Sequence, residues 1–126
     1  MMEKKKMPEI LSPAGNFEKL KFASLYGADA VYFAGELFGM RAMAGNFSND
    51  ELKSATTHLH TLGKKGYLTL NTMPRASDIA LLEAYLEVVE DSGVDAVIVA
   101  DLGVFDIVRK RLQPYRRDRD AEKTLV

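Results

Sequence analysis

Two copies of one pattern decide the fold: Gly27-Ala-Asp-Ala-Val-Tyr-Phe-Ala34 and Gly93-Val-Asp-Ala-Val-Ile-Val-Ala100, which lie 66 residues apart. In each copy a glycine ends one segment and a short apolar run follows, as in a strand that is covered on both faces. The spacing leaves room for two strand–helix units between the start of one copy and the start of the next. The repetition therefore predicts a parallel α/β sheet.

The rest of the chain completes four strand–helix units. The predicted strands are residues 9–12, 30–34, 67–70 and 96–100. The predicted helices are residues 17–26, a segment from the capping-box pattern at Ser48 to Gly63, a segment from about Ser77 to Gly93, and a last helix that ends near Leu112. Asn16 is suited to cap the first helix. Because a TIM-like (β/α)8 barrel has eight such units, we predict a parallel (βα)4 half of that barrel.

Composition limits the kinds of partner and compartment. The 126 residues carry a net charge of −1, which offers no field for steering nucleic acid, and they include no cysteine. The chain therefore supplies no disulfide, thiolate zinc site or iron–sulfur ligand. No apolar run is long enough to span a membrane, and residues 1–7 are not followed by the apolar stretch of a secretory signal. We expect a cytoplasmic protein without a membrane partner.

Three segments differ in character. Residues 1–7 form a polar lead-in, residues 8–112 form the half-barrel, and residues 113–126 form a polar tail in which no strand or helix pattern is visible. The excess charge between Arg109 and Val126 is +4. This excess suits either contact with RNA phosphates or a solvated terminus, and we prefer the second interpretation.

The connection from the second strand to the second helix is the strongest functional signal. It runs from Gly35 to Phe47, which is 13 residues, against a usual two to six. Arg41 is its only cation, and Gly35, Gly39 and Gly45 permit positive φ or a close approach to a ligand. Long loops at the carboxyl ends of parallel strands are where function usually lies. Cover of a barrel end is the alternative role for this loop.

Polar residues at the same ends of the strands form the candidate site. Asp101 is predicted to serve as acid, base or acceptor and Asn71 to orient the substrate, whereas Arg41 is suited to grip a carboxylate or phosphate. Asp101 and Asn16 also fit plain helix caps. The candidate substrate-binding residues are Ser12, Gly15, Asn16, Gly35, Arg41, Gly45, Asn46 and Arg75.

Two other sets of titratable residues are assigned to structure. His58 and His60 point away from each other on a helix, so they cannot share a metal ion, and neither has a visible carboxylate partner. We predict no metal site. Asp29 and Asp95 enter the second and fourth strands at the opposite edge, where turn bonds are the expected role.

Six ordered motifs resemble the N-terminal region of the peptidase U32 family, the collagenase-like proteases. They are Pro8-Glu-Ile-Leu-Ser-Pro-Ala-Gly15, Tyr26-Gly-Ala-Asp-Ala-Val-Tyr32, Arg41-Ala-Met-Ala-Gly-Asn-Phe47, Gly63-Lys-Lys65, Leu70-Asn71 and Val99-Ala-Asp101-Leu-Gly103. The resemblance is strongest to the tRNA-hydroxylation branch. It implies hydroxylation of a wobble uridine without oxygen, with prephenate as oxygen source and an iron–sulfur cluster in the full-length relatives.

The resemblance leaves three functions open. The first is tRNA hydroxylation by a full-length protein. This chain would be the N-terminal fragment of that protein and would be inactive alone. The second is proteolysis of a protein or peptide substrate, for which these 126 residues show no nucleophile–base pair. The third is a non-catalytic half-barrel that associates with itself. The expected partners are accordingly tRNA, a peptide, the missing C-terminal half of a barrel, or a second copy.

Overall fold

The computed structural model describes residues 8–38, 46–71, 75–117 and 124–125. Four parallel strands lie in the order of the chain: β1 (Leu11–Pro13), β2 (Ala30–Phe33), β3 (Lys65–Leu70) and β4 (Ala96–Val99). A two-residue strand, β5 (Thr124–Leu125), pairs in parallel with β4. The predicted parallel sheet is therefore confirmed.

Four helices connect the strands and cover one face of the sheet. They are α1 (Phe17–Leu25), α2 (Asn49–Thr61), α3 (Ile79–Ser92), which a 3-10 turn at Ala76–Asp78 precedes, and α4 (Leu102–Arg117). Each helix contacts the next one along the chain, as right-handed crossovers between neighbouring parallel strands require. The arrangement is half of a TIM-like barrel. In the part of the chain that the structure describes, no helix is long and apolar enough to cross a membrane.

The predicted helix caps are present. Asn16 Oδ1 accepts a hydrogen bond from the Lys19 backbone N–H at 2.9 Å. Ser48 Oγ accepts from the Glu51 N–H at 3.2 Å, and the Glu51 carboxylate accepts from the Ser48 N–H at 2.9 Å. Both caps satisfy N–H groups that have no partner within their own helix.

The main core lies between the sheet and the helices. Its fully buried large side chains come from α1, β2, α2, β3, α3 and α4: Leu20, Val31, Leu52, Leu59, Leu68, Leu70, Leu82, Leu86, Val89, Val104 and Val108. Phe47 joins this core just before α2 and packs on Phe33, with ring centroids 4.9 Å apart. On the opposite face of the sheet, Tyr32 and Tyr67 are register partners and are only half-buried.

The two copies of the repeated pattern make the same bonds at the amino-terminal edge of the sheet. Asp29 receives the Ile10 N–H on Oδ2 at 2.8 Å and gives its own N–H to the Ile10 carbonyl at 2.8 Å. Asp95 makes the same reciprocal pair with Gly66, at 2.8 Å in both directions. Each aspartate therefore ties the strand that it precedes to the neighbouring strand, which agrees with the structural role predicted for both.

One prediction about the histidines was wrong. His60 does have a carboxylate partner, because its Nε2 lies 2.9 Å from Asp95 Oδ2. The contact joins the end of α2 to the start of β4. The sequence pattern could not show it, since the two residues are 35 positions apart and meet only when β3 and β4 pair.

The end of α4 also differs from the prediction. The helix continues through Pro114 to Arg117, although an interior proline removes one N–H donor and its ring crowds the preceding turn. Beyond it, Thr124 and Leu125 pair with Ala96 and Val97. A β-branched residue followed by an apolar one suits a strand, although the polar residues before them hid this signal.

Candidate functional site

The carboxyl ends of β1 to β4 lie along one edge of the sheet, which we call the carboxyl edge. The pairs Pro13–Tyr32, Phe33–Leu68 and Leu70–Val99 place these ends side by side. Four groups of predicted site residues therefore leave the sheet at the same edge, as the sequence indicated. They are Gly15 and Asn16 after β1, Gly35 after β2, Asn71 after β3 and Asp101 after β4.

Asp101 is the cap of α4. Its Oδ2 accepts a hydrogen bond from the Val104 N–H at 3.0 Å, and its carbonyl accepts from the Phe105 N–H at 2.9 Å. The side chain is half-buried. This cap fixes the carboxylate at the start of α4, where its oxygens are suited to accept a hydrogen bond from a substrate.

Of the candidate residues at the first strand, Ser12 lies within β1, and Gly15 and Asn16 follow it. Ser12 pairs with Val31, which is fully buried beneath the helices. Register partners point to the same face of a sheet, so Ser12 lies on the helix-covered side, where Oγ contacts the Pro13 carbonyl at 3.3 Å. The Asn16 side chain is used by its cap. Gly15 is exposed, and a Cβ there would meet only the end of Lys19, at 4.0 Å.

The 35–47 loop begins and ends on the sheet. Phe47 donates its N–H to the Ala34 carbonyl at 3.0 Å, and Gly35 and Phe47 form a parallel bridge. Asn46, next to this bridge, is half-buried. The predicted residues Arg41 and Gly45 lie outside the described residues.

The segment after β3 contributes Asn71 and Arg75. Asn71 follows Leu70 directly and is half-buried, next in register to the end of β4. Arg75 is exposed, and its backbone N–H donates to the Asp78 carboxylate at 2.9 Å to open the 3-10 turn. Asn71 therefore leaves the sheet next to the end of β4, whereas Arg75 lies at the start of the 3-10 turn before α3.

Sequence reasoning missed Tyr85 on α3. It was predicted as an ordinary core residue, yet its hydroxyl reaches the carboxyl edge and lies against Gly35. Burial of the phenol, together with the nearby Glu36 carboxylate, raises the pKa of Tyr85 to about 12. The hydroxyl is therefore protonated at neutral pH. The available signal was a tyrosine at a buried helix position, where its O–H needs a partner.

The side chains do not fit the iron–sulfur cluster that the family resemblance implies. Such clusters are held by cysteine thiolates, and the sequence has none. Among residues 8–38, 46–71 and 75–112, no three histidine, aspartate or glutamate side chains are placed to hold a metal ion. No chemical step at this site is assigned to a cluster.

The sequence of this chain matches a known protein-family model. The model of peptidase family U32 matches residues 15–118. This chain belongs to peptidase family U32. The membership confirms the resemblance that the six motifs indicated.

Three relatives carry two kinds of name. The chain is 40% identical to tRNA hydroxylation protein P1 of Bacillus subtilis over 105 residues, which cover 83% of this chain and 25% of that protein. It is 42% identical to tRNA hydroxylation protein P of Helicobacter pylori over 103 residues, or 81% of this chain and 24% of that protein. It is 37% identical to a collagenase of Porphyromonas gingivalis over 95 residues, or 75% of this chain and 23% of that protein.

A solved structure shows the same fold. The U32 peptidase Mk0906 superposes with a TM-score of 0.64 at 14% sequence identity, over 86% of this chain and 47% of that one. The chain spans about a quarter of the length of the curated relatives it matches. The match to each of these proteins is thus a match to one portion of it.

Proposed function

We propose that this chain forms part of a U32 protein that hydroxylates tRNA, with a wobble uridine as the target nucleoside. The observation that carries the proposal is the identity of 40% and 42% to two tRNA hydroxylation proteins over more than four-fifths of this chain. The same portion is shared with the collagenase at 37% identity, so proteolysis is the second candidate.

The carboxyl edge supplies the substrate-facing part of this proposal. Arg41 in the 35–47 loop binds an anion, either an RNA phosphate or the carboxylates of an organic acid such as prephenate. Asn71 orients the substrate from the end of β3, and Asp101 accepts a hydrogen bond at the end of β4. The iron–sulfur cluster that the resemblance implies would need cysteines from outside these 126 residues. We place the protein in the cytoplasm, where tRNA is modified.

A chimeric protein tests the proposal. In Bacillus subtilis that lacks tRNA hydroxylation protein P1, the matched 105 residues of that protein are replaced by the corresponding part of this chain. We expect mass spectrometry of digested tRNA to show the hydroxylated nucleoside again. A folded and expressed chimera that leaves tRNA unmodified would contradict the proposal, and cleavage of gelatin by that chimera would favour proteolysis.

Two arginine variants of the chimera test the assignment of Arg41. Arg41→Ala is expected to abolish the modified nucleoside, because no other cation lies in the 35–47 loop. Arg109→Ala is the matched control, since Arg109 is exposed on α4 and pairs with Asp106 at 3.1 Å. Normal modification with Arg41→Ala would refute the assignment of this residue and leave the family function untouched.

A further inference from the structure

The base of the 35–47 loop is more closely held than a surface connection requires. Its two ends are joined by the Gly35–Phe47 bridge and by the bond from the Phe47 N–H to the Ala34 carbonyl. Phe38 has a φ of 61°, a left-handed conformation that is rare for a residue with a large side chain. Strained backbone of this kind persists only where the surroundings impose it.

Tyr85 supplies those surroundings. Its side chain reaches from α3 to the loop, and its ring packs on the ring of Phe38 with centroids 5.9 Å apart. Its hydroxyl occupies the space that a Cβ on Gly35 would fill. Tyr85 is only 3% exposed. The φ of Gly35 is not positive, so its backbone conformation does not demand a glycine. The demand comes from the Tyr85 side chain, which leaves no room for a Cβ.

The hydroxyl of Tyr85 has no hydrogen-bond partner among the described residues. A buried polar group without a partner destabilises a fold, and a phenylalanine would fill the same volume without this cost. Packing of the core alone therefore does not account for a tyrosine here. The hydroxyl oxygen lies against Gly35, the first residue of the loop, where it can restrict the path of the backbone.

We propose that Tyr85 is a positioning residue whose hydroxyl fits the notch left by Gly35 and fixes the direction in which the 35–47 loop leaves the sheet. The contact with Phe38 holds the next turn of the same loop. Since α3 also follows the segment that carries Asn71 and Arg75, Tyr85 links two of the connections at the carboxyl edge. The proposal concerns the geometry of the loop and does not depend on which reaction the family member performs.

Trypsin reports on the loop directly, because Arg41 is its only cleavage site between Gly35 and Phe47. The rate of native-state cleavage after Arg41 is measured by mass spectrometry in the 126-residue chain and in three variants: Gly35→Ala, Tyr85→Phe and the double variant. Gly35→Ala is expected to speed cleavage at least about tenfold, because the new Cβ overlaps the hydroxyl and displaces the loop.

In the Tyr85→Phe background, the same Gly35→Ala change is expected to speed cleavage less than about threefold. Removal of the oxygen leaves the Tyr85 Cζ at 3.3 Å and a Leu52 methyl at 3.4 Å from the added Cβ, a fit that small shifts accommodate. An equal effect of Gly35→Ala in both backgrounds would overturn the proposal. If Gly35→Ala alone does not fold, recovery of folding in the double variant supports the proposal and its failure overturns it.

Gly66→Ala is the control for general destabilisation. Its Cβ would lie 3.1 Å from Leu59 and 3.2 Å from Phe33, inside the core and away from the loop. The ratio of cleavage after Arg41 to cleavage after Lys21, which is exposed on α1, is expected to rise with Gly35→Ala and to stay at the wild-type value with Gly66→Ala. A ratio that rises equally with both changes would show a purely structural role for Tyr85 and refute positioning.

Discussion

Asp95 is expected to be the more important member of the repeated aspartate pair. Its Oδ2 accepts from the Gly66 N–H at 2.8 Å and contacts His60 Nε2 at 2.9 Å, and its side chain is 19% exposed. Asp29 is exposed, and among the described residues its side chain accepts only from the Ile10 N–H, at 2.8 Å. The two residues occupy equivalent places in the repeat, so each is the natural control for the other.

The size of the effect follows from these contacts. A hydrogen bond to a charged acceptor contributes about 1.5–3 kcal/mol, toward the lower end where solvent competes. An exposed ion pair contributes about 0–1 kcal/mol, and His60 is 44% exposed. Asp95→Ala should therefore lower the free energy of unfolding by about 2–3 kcal/mol, whereas Asp29→Ala should lower it by about 1.5 kcal/mol. Asp95→Asn keeps an oxygen for Gly66 and should cost about 1 kcal/mol.

Urea unfolding followed by circular dichroism measures these differences. We expect the midpoint to fall in the order wild type, Asp29→Ala, Asp95→Ala, with an unchanged dependence of the free energy on urea. His60→Ala, with a loss below about 1 kcal/mol, separates the histidine contact from the backbone contact. If Asp29→Ala and Asp95→Ala destabilise the chain equally, the argument from burial and bond number is refuted.

Three further predictions concern single features. Ser48→Ala should lower the free energy of unfolding by about 1 kcal/mol through loss of the α2 cap, while Thr57→Ala on the exposed side of α2 should change it little, both by urea unfolding. Gly66→Ala should cost about 1–3 kcal/mol because its Cβ crowds Leu59 and Phe33, whereas Gly15→Ala should be near neutral in the same assay. Folding raises the pKa of Tyr85 to about 12, so the unfolded chain loses this proton at a lower pH than the folded chain does. The free energy of unfolding is therefore retained below pH 10 and falls as the pH rises toward 12. Tyr85→Phe should reduce that fall, as measured by urea unfolding across the alkaline range.

Local patterns predicted most of the fold. Asn16, Ser48 and Glu51 act within three residues of their partners, so the helix starts can be predicted from the sequence alone. The strands were predictable because parallel strands buried beneath helices are short apolar runs. The ends were less certain: β3 begins at Lys65 and not at Tyr67, because the backbone pairing with β2 extends past the apolar run.

The candidate site was predictable only as a place. The carboxyl edge follows from the order of strands, and the order follows from the chain. The contact between Tyr85 and Gly35 cannot be predicted from the order of strands, because it joins two residues 50 positions apart on elements that meet only after folding. The His60–Asp95 contact escaped prediction for the same reason.

The repeated pattern itself separates scaffold from site. With an offset of 66 residues, Gly27 to Ala34 correspond to Gly93 to Ala100. The next position corresponds as well: Gly35 follows the first copy and Asp101 follows the second. Residues within the copies make matching bonds, as Asp29 and Asp95 do. At the first position after the copies the roles diverge: Gly35 admits the Tyr85 hydroxyl, and Asp101 caps α4. Divergence at the carboxyl edge is expected where function and not pairing selects the residue.

A serine at position 101 tests whether capping is the whole role of that aspartate. Serine is a good cap, so Asp101→Ser should keep the free energy of unfolding within about 0.5 kcal/mol, whereas Asp101→Ala should lose about 1 kcal/mol. In the chimera with tRNA hydroxylation protein P1, we expect Asp101→Ser to lose the modified nucleoside even though the helix start is preserved. If the chimera with Asp101→Ser modifies tRNA as fully as the chimera with Asp101, then capping α4 is all that Asp101 does. The polar chemistry of the site would then rest on Asn71 and Arg41.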